Sequence, residues 1–421
     1  MEKKYTDTSD KDPYIQLYNI LSKSEGTDMI AVIDSGKNLK ELKFPLIGIK
    51  FSIYGMPKDL GRFGDVYFAN IKLINDDQSK LQPDVSEIST SNIFDMDVSI
   101  KLTPRRMIDN KENEARISRI ISNDTSTSLI GLITQIATVY RGLAKYIEFK
   151  NNFIKVNESE KYQLLELSNK IDEIEKNAKN TLSYGNNSDL LKSIASTKDS
   201  VQKRFKEVWS TDDVDILISK KYDGDLDDLL LSDSKIFKNS EIINSLIYQC
   251  CVGLNVLYDH RIGHGDMRPT NILYKKANKY SLYKIKISTT SLNLKSLSFK
   301  DAGYVFVISD YGYAYNQTMN INFIDLIMFD YNDLFPEFAR ANESYLKYIL
   351  STLDNTRLMD VFIIFDAFRF FTIVNSIETP IKKLTELIVA RIERFLLREL
   401  TVIDKKNLKI YTIKNIIDEY L

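Results

Sequence analysis

The sequence has very little cysteine: two residues among 421, the adjacent Cys250 and Cys251. Neighbouring side chains in a helix-like stretch point apart, so an ordinary disulfide between these two would be strained. The shortage of cysteine gives no sign of an oxidising environment. We therefore expect the protein in a reducing compartment.

Long apolar runs are missing too. The first residues, MEKKY, contain no apolar signal core, and no stretch approaches the roughly 18 to 20 uncharged apolar residues of a membrane span. The nearest approach, residues 361–374, carries Asp366 and Arg369. We expect a buried helix there and no membrane span.

An excess of charge of either sign is also absent, because the formal net charge is -1. The composition, 43% hydrophobic and 27% charged, is ordinary for a soluble globular protein, and 421 residues are too many for one small domain. Nothing global indicates nucleic acid or an anionic membrane as the main partner. Asparagine, isoleucine, lysine and tyrosine are frequent whereas glycine (15) and proline (8) are few, a bias that often accompanies an A+T-rich genome.

The first third of the chain shows strands and turns. Residues 1–13 are polar and predict a flexible tail. Short apolar runs broken by glycine over 44–74 predict twisted antiparallel strands. The polar stretch 75–92 predicts an exposed insertion, 96–102 alternates like a strand, and 110–121 has a helical pattern.

Helical patterns dominate the middle of the chain. Residues 124–210 predict a helical insertion with helices at 129–149, 162–179 and 190–209. The middle helix is amphipathic, which fits packing against its sister helices or docking of a regulatory partner. A strand is predicted at 215–222 and a helix from Leu226. One apolar stripe then leads to the richest motif: Ile243, Leu246, Ile247, Cys250, Leu254 and Leu257.

That motif, HGDMRPTNILY at 264–274, lies between a long helix and an apolar strand. Phosphoryl transfer needs a carboxylate near the attacking hydroxyl and a neutral amide oxygen on a metal ion. Asp266 and Asn271 have these chemistries, and a spacing of five residues lets one turn of loop aim both inward. An unrelated turn would leave the flanking histidine, proline and Ile-Leu pair unexplained.

The segment resembles the H-R-D-L-K-P-x-N-I-L catalytic loop of protein kinases. The resemblance implies that Asp266 is the catalytic base and Asn271 a metal ligand, and that Arg268 steadies the transferring phosphoryl group, which favours Ser/Thr specificity. VFVISDYG at 305–312 resembles the Asp-Phe-Gly motif, which makes Asp310 the Mg²⁺ ligand. By itself, an apolar strand that ends on Asp-x-Gly is also a common turn.

Two further segments resemble nucleotide-binding parts of the same family. DLGRFGDV at 59–66 resembles the glycine-rich loop and implies ATP contacts by Gly61, Phe63, Gly64 and Val66, although alone it also fits a plain hairpin. VSIK at 98–101 resembles the strand whose lysine grips the phosphates. The resemblance makes that lysine Lys101, and it makes its partner the helix residue Glu114. A lysine at a strand end is otherwise usually solvated.

Other positions are assigned less tightly. Residues 219–226 would form the hinge between lobes, with ATP contacts by Lys221 and Tyr222. Phe335-Pro336-Glu337 could end the activation segment, or it could be a loop proline.

Two residues bear on how the catalytic loop is held and controlled. Asp366, with Asp360 as its rival, would brace the backbone of the catalytic loop. Gly265 stands where many kinases carry the arginine that senses a phosphorylated loop, and Thr318 is the single Ser or Thr between Asp310 and Glu337.

The resemblance implies an α+β, two-lobed kinase-like fold with a helical insertion. Its parts would be the tail 1–13, a small β-rich N-lobe at 14–123, the insertion 124–210, the last strand and hinge at 211–225, and a larger helical C-lobe at 226–421. ATP and Mg²⁺ would be the cofactors and proteins the substrates.

The long insertions and the asparagine-rich composition also resemble those of the divergent Ser/Thr kinases of large cytoplasmic DNA viruses. That implies a cytoplasmic location, in the host or the virion.

Two alternatives remain open. Small-molecule phosphotransferases of the aminoglycoside or choline kinase type also use His-Gly-Asp with an asparagine five residues after the aspartate. Gly312 after Asp310, the glycine-rich segment and Arg268 disfavour them. A pseudokinase scaffold is suggested by Asp59, Gly265 and Tyr311, but all five polar groups needed for transfer are present.

Overall fold

The computed structural model describes the secondary structure of much of the chain. The segments predicted at 1–13 and 75–92 lie outside the described residues. In the helix predicted at 110–121, Ile117 is described, and it is helical and buried. The described residues are 30–33, 39–44, 48–61, 64–73, 96–104, 117, 145–149, 171, 197–198, 214–277, 282–288, 294–319, 321–401 and 409–421.

The chain is a mixed α/β protein with a β-sheet in its N-terminal part and mainly helices in its C-terminal part. The described residues fall into two compact units. Those up to Lys221, apart from Ile117, form what we call the sheet unit. Ile117 and the described residues from Tyr222 to Leu421 form the helical unit.

The sheet unit contains an antiparallel sheet of seven described strands in the order β1-β2-β3-β4-β5-β7-β6. The strands predicted over 44–74, 96–102 and 215–222 are thereby confirmed. The strands are β1 (Ile30–Ile33), β2 (Leu39–Phe44), β3 (Ile49–Gly61), β4 (Gly64–Leu73), β5 (Asp97–Pro104), β6 (Lys145–Phe149) and β7 (Val214–Lys220).

Successive side chains of a strand point to opposite sides, so the sheet has two faces with different side chains. One face is fully buried and apolar, and the other carries Lys101. The central side chains of the buried face are Phe51, Ala69, Ile71, Val98, Ile100 and Ile218.

The helix predicted over 129–149 is wrong in its last five residues. Lys145–Phe149 forms strand β6, which pairs with β7. The text KYIEF is rich in β-type residues, and its partner lies some 70 positions further along the chain, so a short-range helical pattern misses the pairing. The predicted insertion 124–210 therefore contains a strand as well as helix, which is observed at residues 171 and 197–198.

The helical unit contains the helix predicted from Leu226 and the apolar stripe before residue 264, whose six side chains are buried. Four helices begin at an aspartate or asparagine cap: the side-chain oxygens of Asp225, Asn239, Asn322 and Asp354 accept backbone N–H groups of the first turn. The helices are α1 (Leu226–Asp233), α2 (Ser240–Asp259), α3 (Phe323–Leu334), α4 (Pro336–Leu350), α5 (Asn355–Ser376), α6 (Lys382–Arg394) and α7 (Ile413–Tyr420).

Short strands connect these helices. In one three-stranded sheet the central strand β10 lies between β8 and β13. In two further sheets β9 pairs with β14, and β11 with β12. The strands are β8 (Gly224–Asp225), β9 (Ile262–Gly263), β10 (Ile272–Lys276), β11 (Leu282–Ser288), β12 (Leu294–Lys300), β13 (Tyr304–Ile308) and β14 (Tyr315–Asn316).

Helix α5 runs through the core of the helical unit, and the buried helix predicted at 361–374 is confirmed within it. Phe365, Phe370 and Phe371 are almost fully buried along its length. Burying an aromatic side chain of this size contributes about 2 kcal/mol of transfer free energy. Among the described residues, no helix combines the length and apolarity required to cross a bilayer.

Candidate active site

The loop predicted to carry the chemistry joins β9 to β10. It follows α2, contains a short 3-10 helix at Pro269–Asn271, and enters β10 at Ile272. Proline at the first position of that turn fits its fixed φ and missing N–H group. The order helix, loop, strand predicted from the sequence is observed.

Asp366 on α5 holds the start of this loop. Its Oδ2 accepts the backbone N–H of His264 at 2.7 Å, and its Oδ1 accepts that of Gly265 at 2.9 Å. The brace predicted for Asp366 is confirmed. The rival, Asp360, instead accepts a hydrogen bond from the Arg261 guanidinium at 2.6 Å.

Gly265 has a steric reason to be glycine. Its φ of +73° lies in the left-handed region, and an added Cβ would come within 2.6 Å of the Tyr313 carbonyl oxygen. An arginine could not be accommodated here without moving backbone. The absence of an arginine at this position therefore reflects close packing of the loop against residues 311–313.

His264 links the loop to the strand that precedes Asp310. Its ring is fully buried, and Nε2 lies 2.8 Å from the Ser309 carbonyl oxygen, while Nδ1 accepts the Asp266 backbone N–H at 3.2 Å. Burial lowers the pKa of His264. A neutral ring protonated on Nε2 satisfies both contacts at once.

Asp266 and Asn271 come together as predicted. The Asn271 amide nitrogen donates to the Asp266 carbonyl oxygen at 2.8 Å and to Asp266 Oδ2 at 3.0 Å. The Arg268 guanidinium forms an ion pair with the same Oδ2. Because both side-chain contacts use Oδ2, Oδ1 is the carboxylate oxygen that can take a proton from a hydroxyl.

Asp310 lies beside Asn271 because β10 and β13 are neighbours. Ile272 and Ile308 are cross-strand partners, and the Ser309 N–H donates to the Asn271 carbonyl oxygen at 2.8 Å. Asp310 itself adopts a left-handed conformation, with φ of +60°. A non-glycine residue held there is strained, a feature that concentrates at functional sites.

Tyr311, which stands for phenylalanine in the Asp-Phe-Gly resemblance, is buried against His264 with ring centroids 5.4 Å apart. Its hydroxyl donates to the Ile308 carbonyl oxygen at 3.2 Å. Burial raises the pKa of Tyr311. The tyrosine therefore fills the place of an apolar ring and satisfies its hydroxyl locally.

The donor set fits a magnesium ion that is shared with phosphates. The Asn271 amide nitrogen faces Asp266, which leaves the amide oxygen for a cation, and Asp310 supplies a carboxylate. Mg²⁺ usually takes one or two protein oxygens together with substrate phosphates and water. Within the described residues, no cluster of three or more His, Cys, Asp or Glu side chains could form a cage of its own.

In the sheet unit, the register places several predicted nucleotide contacts together. Gly61 and Gly64 are cross-strand partners at the end of the β3-β4 hairpin. Val66 on β4 and Lys101 on β5 are partners as well, so they lie on one face, two positions from Gly64. Phe63 and Glu114 lie outside the described residues, so the Lys101–Glu114 pair stays a prediction.

Lys221 and Tyr222, predicted at the hinge, lie where the sheet unit ends and the helical unit begins. The Lys221 ammonium donates to the Tyr54 hydroxyl at 2.9 Å and lies 3.4 Å from Asp97 Oδ2. It also sits 5.0 Å above the Phe68 ring. The Lys221 side chain is thus engaged with the sheet, and ATP binding by its backbone stays a prediction.

The end of the predicted activation segment forms helix rather than loop. Pro336 occupies the first turn of α4, and Glu337 follows it with an exposed side chain. The Thr318 hydroxyl donates to Asn316 Oδ1 at 2.7 Å. That Phe335-Pro336-Glu337 ends an activation segment stays a prediction.

Sequence reasoning missed two contributors. It treated His264 as a flanking residue, although His264 connects Asp266 to Ser309, and it did not select Ser309, whose hydroxyl donates to the Asn271 carbonyl oxygen at 3.1 Å. The signal available for His264 was its position two residues before a candidate base. Ser309 carries no signal beyond its place before Asp310.

Comparison with known proteins adds little to this geometry. No protein-family model matches the sequence, and no curated protein matches it. Among solved structures, a Plasmodium kinase domain aligns with 88% of this chain and 84% of its own length, with 13% identity and a TM-score of 0.31. A likeness at that level carries no argument, so function is argued from the residues themselves.

Proposed function

We propose that the chain is a two-lobed protein kinase that transfers the γ-phosphoryl group of ATP to serine or threonine hydroxyls of proteins. The single observation that supports this most is the meeting of Asp266, Asn271 and Asp310 in one loop-and-strand site. A base, an amide oxygen and a carboxylate are the groups that phosphoryl transfer needs.

In the proposed reaction the acceptor hydroxyl oxygen attacks the γ-phosphorus while the bond to the β–γ bridging oxygen breaks. Asp266 Oδ1 takes the hydroxyl proton. Asn271 and Asp310 would hold Mg²⁺, which neutralises phosphate charge when bound. Arg268, whose side chain is 54% exposed beside Asp266, would contact the transferring group.

Lys101 would bind the α- and β-phosphates, and the hairpin that ends at Gly61 and Gly64 would cover them. Support for this part comes from the sheet register, which aligns Val66 with Lys101 near the hairpin end. Glu114 would fix Lys101. The hinge contacts at Lys221 and Tyr222 would be made by backbone groups.

The experiment is transfer from γ-labelled ATP by the purified chain with Mg²⁺. Matched acceptors are a basic protein, peptides that differ only in Ser, Thr or Tyr, and small alcohols that include choline and an aminoglycoside. We expect label on serine or threonine of the protein and peptides. Transfer to the small alcohols alone would instead support the small-molecule phosphotransferase, whose His-Gly-Asp loop this chain shares.

A further inference from the structure

Beneath the catalytic loop, one arginine serves two carboxylates of a neighbouring helix. Arg369 on α5 donates through one guanidinium nitrogen to Asp330 Oδ1 and through the other to Asp333 Oδ2, both at 2.7 Å. Asp330 and Asp333 are three residues apart on α3, so they bracket Arg369 from one helix face. Arg369 also lies one turn beyond Asp366 on α5.

Burial distinguishes the members of this group. Asp330 and Asp366 are each 2% exposed, whereas the Asp333 side chain is 51% exposed. Asp330 Oδ2 and Arg369 Nε are buried without a hydrogen-bond partner. The interior beneath the loop therefore holds two buried carboxylates and one guanidinium, and a buried charge without compensation is strongly destabilising.

The two carboxylates disturb each other. Burial raises the pKa of Asp366, and the proximity of Asp330 raises it further, whereas the two backbone N–H donors and Arg369 oppose the rise. Each Asp366 oxygen accepts one N–H group of the loop, so both oxygens serve as acceptors. Without Arg369, the cation that opposes the effect of Asp330 on Asp366 would be lost.

The docking of α3 on α5 has separate apolar support. Tyr331 meets Phe365 edge-on with ring centroids 5.0 Å apart, and Phe335 meets Phe368 at 5.1 Å. The Tyr331 hydroxyl also donates to the Leu396 carbonyl oxygen at 2.8 Å. These contacts do not use Arg369, so loss of its charge can be separated from undocking of the helix.

We propose that Arg369 is a positioning residue for the catalytic loop: by balancing the charge of Asp330, it lets Asp366 keep both backbone N–H groups, those of His264 and Gly265. The consequence for catalysis rests on the proposed kinase function. The effect of Arg369 on the two hydrogen bonds of Asp366 is independent of that function. Arg369 touches no reacting atom and acts through Asp366.

The test compares Arg369→Gln, Asp330→Asn and the double variant. We expect Arg369→Gln to increase amide hydrogen exchange at His264 and Gly265 by at least about tenfold and to lower kcat by a similar factor, with little change in the KM for ATP. The double variant should regain most of the amide protection and most of kcat, because Asp330→Asn removes the carboxylate charge that Arg369→Gln leaves uncompensated. A purely structural role for the ion pair instead predicts that exchange rises at buried amides throughout the helical unit, in parallel with the loss of global stability, and not selectively at His264 and Gly265.

Two controls complete the design. Arg391→Gln, a change on α6, removes a partly exposed ion pair with Glu399 and should change neither readout. Asp333→Asn removes only the exposed partner of Arg369 and should have little effect. A double variant no better than Arg369→Gln, or unchanged exchange in Arg369→Gln, would overturn the proposal.

Should Arg369→Gln not fold, Arg369→Lys and Asp330→Asn decide the matter. Both keep a cation near Asp366, so both should retain the protection of the His264 and Gly265 amides, and loss of protection in Asp330→Asn contradicts the proposal. The exchange readout needs no activity. A wild-type chain that does not transfer phosphate would defeat the kinase function while leaving this inference to its own test.

Discussion

The proposed catalytic loop and the β4-β5 strand pair hold their candidate functional groups in different ways. In the loop, side chains bind backbone: Asp366 holds His264 and Gly265, and Asn271 holds Asp266. In the strand pair, the backbone ladder sets Lys101 beside Val66. Removal of one loop side chain should therefore disturb several contacts, whereas removal of a strand side chain should leave the register intact.

In the loop region, a large effect is expected from Asp310→Asn. Asparagine keeps the size of the side chain but removes the charge that would bind Mg²⁺, so phosphoryl transfer should fall at least about 10²-fold, roughly 3 kcal/mol in transition-state terms. Transfer rates measured over a Mg²⁺ titration check this. Unchanged rate and unchanged Mg²⁺ dependence would remove Asp310 from the site.

On the strand side, Lys101→Met should lower kcat/KM for ATP by about tenfold or more, with a change in the free energy of unfolding of about 0.5 kcal/mol or less. The methionine keeps the strand and removes the ammonium group that would bind the phosphates. Lys72→Met, at an exposed position of the adjacent strand β4, is the matched control and should leave kcat/KM unchanged. Equal losses in both variants would mean that the effect is not specific to Lys101.

Backbone strain sharpens the contrast. Gly265→Ala places a Cβ at positive φ and 2.6 Å from the Tyr313 carbonyl, so we expect destabilisation of about 1–3 kcal/mol in denaturant unfolding. Gly253→Ala is the control, since its Cβ meets only the flexible end of Ile308 at 2.9 Å. A tolerated Gly265→Ala would show that the loop can relax.

The pH dependence of stability should report Asp330. Burial raises the pKa of Asp330 to about 6, so the folded state retains this proton to a higher pH than the unfolded chain does. The stabilisation is complete below the unfolded pKa, near 4, and is lost as pH rises through about 6. From pH 4 to 7 the free energy of unfolding should fall more steeply in the wild type than in Asp330→Asn, and parallel curves would contradict this.

The smallest effect is expected at Thr318. Its hydroxyl binds Asn316, which is itself tied to the His260 carbonyl at 2.9 Å, so Thr318→Ala should keep most of its activity. A loss beyond about tenfold, roughly 1.4 kcal/mol, would revive loop phosphorylation as a switch. The assay is transfer to the same peptide acceptor.

The sequence predicts the loop region well because its chemistry is local. The spacing of Asp266 and Asn271 and the apolar strand before Asp310 lie within short segments, and Asp366 stands out as an acid in an apolar helix. The reason why residue 265 must be glycine cannot be predicted in the same way, since the steric constraint comes from the Tyr313 carbonyl, 48 positions away in the sequence. Sequence alone reads that glycine as a lost arginine.

Long-range pairing limits prediction in the sheet unit. Strand β6 is stabilised by a partner some 70 residues later, and a helical pattern in 129–149 hides it. Short-range periodicity detects elements whose stabilising contacts lie within a turn or two, and it misses those fixed by distant strands. The bracket of Asp330 and Asp333 around Arg369 is invisible for the same reason.

The most direct test of the proposed function is the transfer rate of Asp266→Asn, with Asp227→Asn, an exposed aspartate of α1, as matched control. The amide oxygen of asparagine can still accept the hydrogen bonds of Arg268 and Asn271, but the side chain has lost its charge and cannot take the hydroxyl proton. We predict a fall of about 10²- to 10⁴-fold for Asp266→Asn and no change for the control. An Asp266→Asn chain that turns over ATP at the wild-type rate would contradict the proposed function.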